Sequence, residues 1–320
     1  MGSYGSKETF KDKILEQLES HEFPSLQGST YILKDGRAMG YSETVHPQDD
    51  TANLFPILFF HGIPGSRLFV PPAIKSIKGI RWIVLERPGF GLSTLKKVTF
   101  LEWASDVEEF IVNVIKSNVS IVAYSAGGPW SLAVSFLYPN LIRKVAIISS
   151  ISPHGTSSYS GMSFTNKCAW FCVSAAPSLV RYLTRKDGER TLQQVFTDSR
   201  DSISSFPACD QSVISRSNIE LLFLISEYEL VSRGQFESIA NEYALWGKSW
   251  GFPLSNLKVN IQIWHGKEDN ATAIGMGRYL STQINCPLIE VEDGGHFLIF
   301  DYLPNIIEWI IEDLSVGRNL

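Results

Sequence analysis

The sequence has few cysteines, no long apolar run and no excess of basic residues. None of its four cysteines forms a C-x-x-C pair, which favours reduced core thiols over a metal site or a disulfide framework. No run reaches the roughly 18 consecutive apolar residues that a membrane-spanning helix requires. The net charge of −5, from 28 Lys and Arg against 33 Asp and Glu, indicates no nucleic-acid surface. We therefore expect no metal, no membrane span and no nucleic-acid partner.

The N-terminal segment is polar and charged. Its "SKETFKDKILEQLESHEF" stretch lacks the apolar centre of a signal peptide, which predicts a cytoplasmic protein with an N-terminal extension over residues 1–27. Gly2 and Ser6 fit the N-myristoylation pattern, and Lys7 could attract anionic lipid. A single acyl chain anchors only weakly. The alternative is a plain polar N-terminus.

Apolar residues make up 44% of the 320 positions, enough for one large α/β domain with an insertion or for two domains. Two alternating segments predict an antiparallel pair turned at Asp35 and Gly36, and short, nearly continuous apolar runs predict strands buried on both faces of a parallel sheet. The eight predicted strands are "STYILKD", "AMGYSETV", "FPILFFHG", "IRWIVLERPG", "VSIVAYS", "RKVAIISS", "VNIQIWHG" and "PLIEVED".

Helical periodicity separates these strands. The segment "TFLEWASDVEEFIVNVIKSN" begins with Thr99 as a cap and has Glu102 three residues later, the pattern of a capping box. A closing amphipathic helix is predicted over "PNIIEWIIEDL", with Pro304 near its start.

A long region between two predicted strands contains no convincing strand of its own. Three segments in it have helical spacing: "NKCAWFCVSAAPSLVRYLTRK", "SNIELLFLISEYELV" and "FESIANEYALWG". This pattern predicts a helical lid over residues 152–255, inserted into a core formed by residues 28–151 and 256–320. Three of its aromatic side chains, Trp170, Phe223 and Trp246, are candidates to contact a substrate.

Ser125 stands at the end of a predicted strand in "IVAYSAGGPW". A serine that serves as a nucleophile can be presented at a sharp turn from strand to helix, and such a turn needs small neighbours. Ala123 and Gly127 are those neighbours, and Gly128 and Pro129 suit the start of the following helix. The alternative is close helix-to-strand packing without catalysis.

Donors for an oxyanion are expected from two backbone positions. The loop "FFHGIPGSR" follows a strand, and we predict the N–H groups of Ile63 and Ala126 as the pair that stabilises an oxyanion. For His61 we favour a hydrogen bond that shapes the loop over a catalytic role. Ser66 and Arg67 either border the pocket or cap the next segment, and we favour the second.

A base and its orienting acid are expected from later strands. Asp269 follows one strand and His296 the next, which gives the chain order Ser, Asp, His. The imidazole of His296 would accept the proton of Ser125, with Asp269 bound to its other nitrogen. Paired glycines before His296 would let its loop approach the serine. The competing groups are Glu268 and Asp293 as acid and His154 as base; His265 is taken as structural.

Five motifs together resemble the α/β-hydrolase superfamily over about Thr30 to Leu314. "HGIPGSR" resembles its oxyanion loop, "ERPGFGLS" its D/E-R-P-G-x-G-x-S segment, "AYSAGG" its nucleophile elbow with alanine for the first glycine, "HGKEDN" its acid loop and "GGHF" its histidine loop. The resemblance implies a mostly parallel twisted sheet flanked by helices, with an inserted lid and no cofactor. A serine at the elbow argues against the dehalogenase and epoxide hydrolase branches, which use a carboxylate.

The predicted function is that of a serine hydrolase. It would cleave an ester, lactone or related acyl bond of a small to medium apolar molecule through an acyl-enzyme. Fold alone does not decide the chemistry. Two alternatives remain open: a receptor-like binding protein with little turnover, and a lyase that uses the same three residues without acylating the serine.

Overall fold

The computed structural model describes residues 28–50, 53–154, 159, 162, 164–187 and 203–316. The predicted N-terminal extension, with Gly2, lies outside the described residues. No helix within the described ranges is long and apolar enough to cross a membrane.

A single eight-stranded sheet forms the centre of the described structure. Its strands run β1 Ser29–Ile32, β2 Ala38–Val45, β3 Phe55–Phe60, β4 Ile80–Leu85, β5 Val119–Tyr124, β6 Ile142–Ile148, β7 Asn260–Gly266 and β8 Leu288–Val291. Their order across the sheet is β1-β2-β4-β3-β5-β6-β7-β8. β2 pairs antiparallel with β1 and β4, and all other neighbours are parallel. The predicted strands and mostly parallel sheet are confirmed.

The sheet is covered by apolar side chains on both faces, as continuous apolar strands require. Along β3 the side chains alternate: Leu58 and Phe60 join one core cluster, whereas Ile57 and Phe59 join the other. Every residue of β5 is buried. The strand that leads to Ser125 is therefore among the most rigidly packed parts of the molecule.

Helices flank this sheet, and others lie in the described parts of the chain segment that connects the end of β6 to the start of β7. They are α1 Phe100–Phe110, continued by a π turn over Ile111–Ile115, α2 Gly128–Leu137, α3 Phe164–Ala175, α4 Pro177–Asp187, α5 Ala208–Ile214, α6 Ser217–Ser232, α7 Phe236–Trp246, α8 Ile274–Ile284 and α9 Ile299–Val316. Short 3₁₀ turns occupy Pro72–Ser76, Ser125–Gly127, Pro139–Leu141 and Leu254–Asn256. The capping box at Thr99 and Glu102 is present at the start of α1.

The predicted start of the last helix is wrong. α9 begins at Ile299, so that Pro304 lies inside it and not near its start. Ile299, Leu303 and Ile306 are fully buried at helical spacing, and Pro304 is on the exposed side. Burial of this stripe outweighs the backbone hydrogen bond that an interior proline removes.

The described part of residues 152–255 is helical, with no strand among its described residues. The helical segment "NKCAWFCVSAAPSLVRYLTRK" is divided into two helices, since α3 ends at Ala175 and α4 begins at Pro177. Proline cannot continue a helix without clashing with the preceding turn, but it suits a first helical position. The short helix α5 was not anticipated from the sequence.

Candidate active site

Ser125 lies at a sharp turn between β5 and α2. Its φ of 53° is in the left-handed region, which is uncommon for a residue with a side chain. A Cβ on Gly127 would lie 2.2 Å from the Phe60 carbonyl oxygen, and one on Gly128 would lie 1.8 Å from the Ser150 hydroxyl. The two glycines thus let the helix start against β3 and β6, and Ala123 at the strand end does not prevent the turn.

The structure brings Ser125, His296 and Asp269 together in one chain of hydrogen bonds. His296 Nε2 is 3.1 Å from Ser125 Oγ, and His296 Nδ1 is 2.9 Å from Asp269 Oδ2. A carboxylate can only accept, so Nδ1 carries the proton and Nε2 is free to accept from the serine hydroxyl. This is the protonation state that a general base requires.

Buried hydrogen bonds fix Asp269. Its Oδ1 accepts from the N–H groups of Ala271 and Thr272, at 2.9 and 2.8 Å. Burial would raise the pKa of Asp269, but the charge and hydrogen bond of His296, the charge of His265 and the Thr272 N–H lower it overall. Burial would lower the pKa of His296, but Asp269 and the more distant Asp210 raise it overall. The site therefore favours an ionised acid beside an imidazole that readily accepts a proton.

The competing acids and base do not join this chain. Glu268 and Asp293 have exposed side chains, in contrast to the buried Asp269. His154 Nε2 lies 3.0 Å from the Trp170 carbonyl oxygen. His265 Nε2 lies 2.5 Å from the Thr272 carbonyl oxygen and 3.5 Å from Asp269 Oδ2, so it helps to hold the acid loop.

The histidine loop is held by a carboxylate that the sequence analysis missed. Asp210 on α5 accepts hydrogen bonds from the backbone N–H groups of His296 and Phe297. A Cβ on Gly295 would lie 2.3 Å from this carboxyl group, and one on Gly294 would lie 2.7 Å from a Val291 methyl. The glycines before His296 make room for these neighbours and not, as expected, for the serine.

The loop after β3 is fixed by Arg87 and His61. Arg87 donates to the carbonyl oxygens of His61 and Gly62 at 2.6 and 3.2 Å, and His61 Nδ1 lies 2.8 Å from the Gly62 oxygen. Burial and the charge of Arg87 hold the pKa of His61 well below its usual range, so this ring is neutral and donates through Nδ1. In a trans peptide the carbonyl oxygen and the following N–H point in opposite directions. Holding the Gly62 oxygen therefore also fixes the direction of the Ile63 N–H.

Two buried ion pairs join this region to the helices between β6 and β7. Arg87 pairs with Glu242 on α7, and Arg67 pairs with both Glu86 and Glu229, the latter on α6. All five side chains are at most 5% exposed. Ser66 Oγ accepts from the Leu68 N–H, which is a capping contact as predicted. Arg67, in contrast, forms buried ion pairs with two glutamates.

Two cavities meet at Ser125 and His296, and Ile63 and Ala271 line both of them. The first, of about 240 Å³, is lined by Phe206, Ile214, Phe223 and Phe297, and Glu220 is the acidic residue among its described lining residues. The second, of about 530 Å³, is lined by Trp170, Leu179, Tyr243 and Trp246.

The three predicted substrate-contacting residues divide between the cavities. Phe223 lines the smaller one, while Trp170 and Trp246 stack at 5.5 Å and line the larger. No group of three or more His, Cys, Asp or Glu side chains in the described ranges is arranged to hold a metal ion.

Comparisons with known proteins agree with this architecture. A family model for the alpha/beta hydrolase fold matches residues 56–302. No curated protein matches the sequence. Among solved structures, a hydrolase from Pseudomonas aeruginosa aligns with a TM-score of 0.64 at 12% identity, covering 90% of this chain and 98% of its own.

Two further similar structures are those of proteins with a named activity. An enol-lactonase from Burkholderia xenovorans has a TM-score of 0.64 at 13% identity, with 90% of this chain and 100% of its own covered. An esterase from Exiguobacterium antarcticum has a TM-score of 0.57 at 16% identity, with the same two coverages. At such low identity these likenesses establish the fold alone.

Proposed function

The chain belongs to the α/β-hydrolase family, and from that premise we propose that it is a serine hydrolase that cleaves ester or lactone bonds. The observation that carries the proposal is the hydrogen-bond chain from Ser125 through His296 to Asp269. The esterase and enol-lactonase among the similar structures agree with it.

The first chemical step would be acylation of Ser125. His296 Nε2 takes the hydroxyl proton as Oγ attacks the carbonyl carbon, and Asp269 stabilises the imidazolium that forms. The imidazolium then donates its proton to the leaving alcohol as the acyl carbon–oxygen bond breaks. In the second step, His296 takes a proton from water as the water oxygen attacks the acyl carbon. The imidazolium then returns this proton to Ser125 Oγ as the bond between Oγ and the acyl carbon breaks, which releases the carboxylic acid and regenerates the serine.

The oxyanion of each tetrahedral intermediate would be stabilised by the N–H groups of Ile63 and Ala126. Ala126 lies in the first turn after the strand, where N–H groups have no partner within the helix. A Cβ on Gly62 would lie only 3.1 Å from Ser125 Cβ, so the loop that carries Ile63 runs directly beside the nucleophile. Fixed donors of this kind stabilise a developing charge without reorganising.

The substrate would be a small to medium molecule that is apolar on both sides of its reacting bond. The two cavities that meet at Ser125 would hold the acyl and alcohol parts separately, under a helical lid formed by residues 152–255. Glu220 would repel a carboxylate in the smaller cavity. No cofactor takes part in the proposed reaction, and a small-molecule substrate is the only partner that it needs.

The proposal is tested by labelling and by a substrate panel. We expect a small fluorophosphonate to attach to Ser125, as identified by mass spectrometry of the digested protein, and ester or lactone members of an ester, lactone, amide and thioester panel to be hydrolysed. A Ser131→Ala variant is the control, because Ser131 is buried and bonds only within α2. Labelling without turnover, together with ligand-induced thermal stabilisation, would indicate a receptor instead.

The two-cavity arrangement predicts separable specificities. Phe223→Ala should change the preference on one side of the ester bond and Trp246→Ala the preference on the other. For two homologues that differ by one methylene, each variant is expected to change the ratio of their kcat/KM values by about 10- to 200-fold. The measurement is kcat/KM over an acyl-length series and an alcohol-length series.

Tyr182→Ala serves as the control for that experiment, since Tyr182 is an exposed aromatic residue on α4 that lines neither cavity. Labelling of Ser125 by a small phosphonate should persist in all three variants. If both cavity variants altered the same series, the assignment of the two cavities to opposite sides of the bond would be wrong.

A further inference from the structure

Asp210 forms an unusual contact between the helical region and the proposed base. Its carboxyl group accepts one N–H on each oxygen: His296 N at 2.8 Å on Oδ2 and Phe297 N at 2.9 Å on Oδ1. The side chain is 1% exposed. Asp210 precedes His296 by 86 positions and Phe297 by 87, so this contact exists only when α5 is packed against the histidine loop.

The Asp210 carboxyl group is closely packed against the histidine loop. Gly295 packs against the Asp210 carboxyl group so closely that an added Cβ would lie 2.3 Å from it. Two charge-assisted hydrogen bonds to consecutive N–H groups fix the backbone from which the imidazole projects. The position of His296 relative to Ser125 therefore depends on a side chain of the helical region, in addition to Asp269.

Asp210 also contributes charge. Among the described residues, the titratable groups that face His296 are Asp269 and His265 from the β7 end, Tyr124 from β5 and Asp210 from α5. Glu220 on α6 and Cys172 on α3 line the cavities that meet at His296. The negative charge of Asp210 raises the pKa of His296, as does that of Asp269. Burial raises the pKa of Asp210 itself, and its two N–H bonds and His296 oppose that rise.

We propose that Asp210 is a positioning residue for the base, which holds the histidine loop through two backbone hydrogen bonds and stabilises the imidazolium formed during acylation. The inference rests on the proposed function, because it assigns Asp210 a part in that same chemistry. Helix α5 would then complete the reactive site as well as cover it.

The sign of the pH effect distinguishes this role from a merely structural one. Acylation needs neutral His296, so its rate falls as the pH drops through the pKa of that group. Removing the Asp210 charge lowers this pKa, and the acid limb of the rate profile should move to lower pH. A lost structural contact would lower the rate at every pH and leave the limb in place.

The test is the pH dependence of Ser125 labelling by a fluorophosphonate in wild type and Asp210→Asn. We expect the acid limb of the variant to move down by about one pH unit and its plateau rate to fall about tenfold. Asp210→Glu, which keeps the charge, should retain the wild-type limb. Glu237→Gln is the matched control, because its carboxylate lies on α7 and pairs with Arg181 and Arg185 of α4.

NMR titration of the His296 imidazole gives a second readout that does not depend on activity. The pKa of His296 should be lower in Asp210→Asn, and Asp210→Ser gives a second charge-free variant if the asparagine protein does not fold. An unchanged pKa and an unchanged limb would overturn the inference. If wild-type Ser125 were neither labelled nor active although His296 titrated as expected, the proposed function would fail and the electrostatic contact would stand.

Discussion

Replacing Ser125 with alanine is expected to lower hydrolysis of the preferred ester by about 10⁶-fold. His296→Ala should cost about as much, and the double variant no more, because the two groups act in one proton transfer. Asp269→Asn should cost about 10⁴-fold, since the imidazole then loses the acceptor that fixes its tautomer. The measurement is kcat of each variant under saturating substrate.

Ser135→Ala provides the control for these variants, since Ser135 is a buried serine of α2 that bonds to the Ser131 carbonyl oxygen away from the reacting groups. It should retain wild-type kcat. Substantial turnover by Ser125→Ala on the true substrate would contradict an acyl-enzyme and favour a lyase in which His296 acts on the bound molecule directly.

Variants at Arg87 and Glu242 are expected to change the stability of the protein and the reactivity of Ser125 independently. Glu242→Leu leaves the fully buried guanidinium of Arg87 without its partner, which is expected to lower the free energy of unfolding by about 3–5 kcal/mol. The double variant Arg87→Met/Glu242→Leu replaces both charges with apolar groups, so most of that loss should be recovered.

Reactivity should not recover with stability in the double variant. Arg87 donates to the Gly62 oxygen and so orients the Ile63 N–H, and a lost oxyanion donor costs about 10²- to 10³-fold. Urea unfolding and the rate of Ser125 labelling measure the two effects. Arg216→Met, which breaks an exposed ion pair with Asp301, is the control and should change stability by less than about 1 kcal/mol. Full labelling by the stable double variant would mean that Arg87 does not orient the donor.

Local sequence patterns predicted the features that depend on neighbours along the chain. The turn at Ser125 is visible because strand, serine and glycines are contiguous, and steric crowding at such a turn leaves few residue types. Asp269 and His296 were predicted because each follows a strand, and the ends of parallel strands meet at one edge of the sheet. The structure brings these three together.

Contacts between distant segments could not be predicted in the same way. Asp210 lies in "PACDQSV", a segment with no pattern that points to the histidine loop 86 residues later. Glu242 is one of two glutamates on α7, and only packing reveals that it pairs with Arg87. The early start of α9 was missed for a related reason, since the proline was visible in the sequence but the burial of Ile299 was not.

The bond between Asp210 and the histidine loop makes two backbone amides sensitive to the state of the covering helix. The amide hydrogens of His296 and Phe297 are bonded to a side chain of α5, so they can exchange with solvent deuterium only when that carboxylate withdraws. Their exchange rates therefore measure how often α5 separates from the core. An inhibitor bound at Ser125 that holds α5 in place would slow exchange at these two positions. Slower exchange would thus report that α5 is packed against the histidine loop.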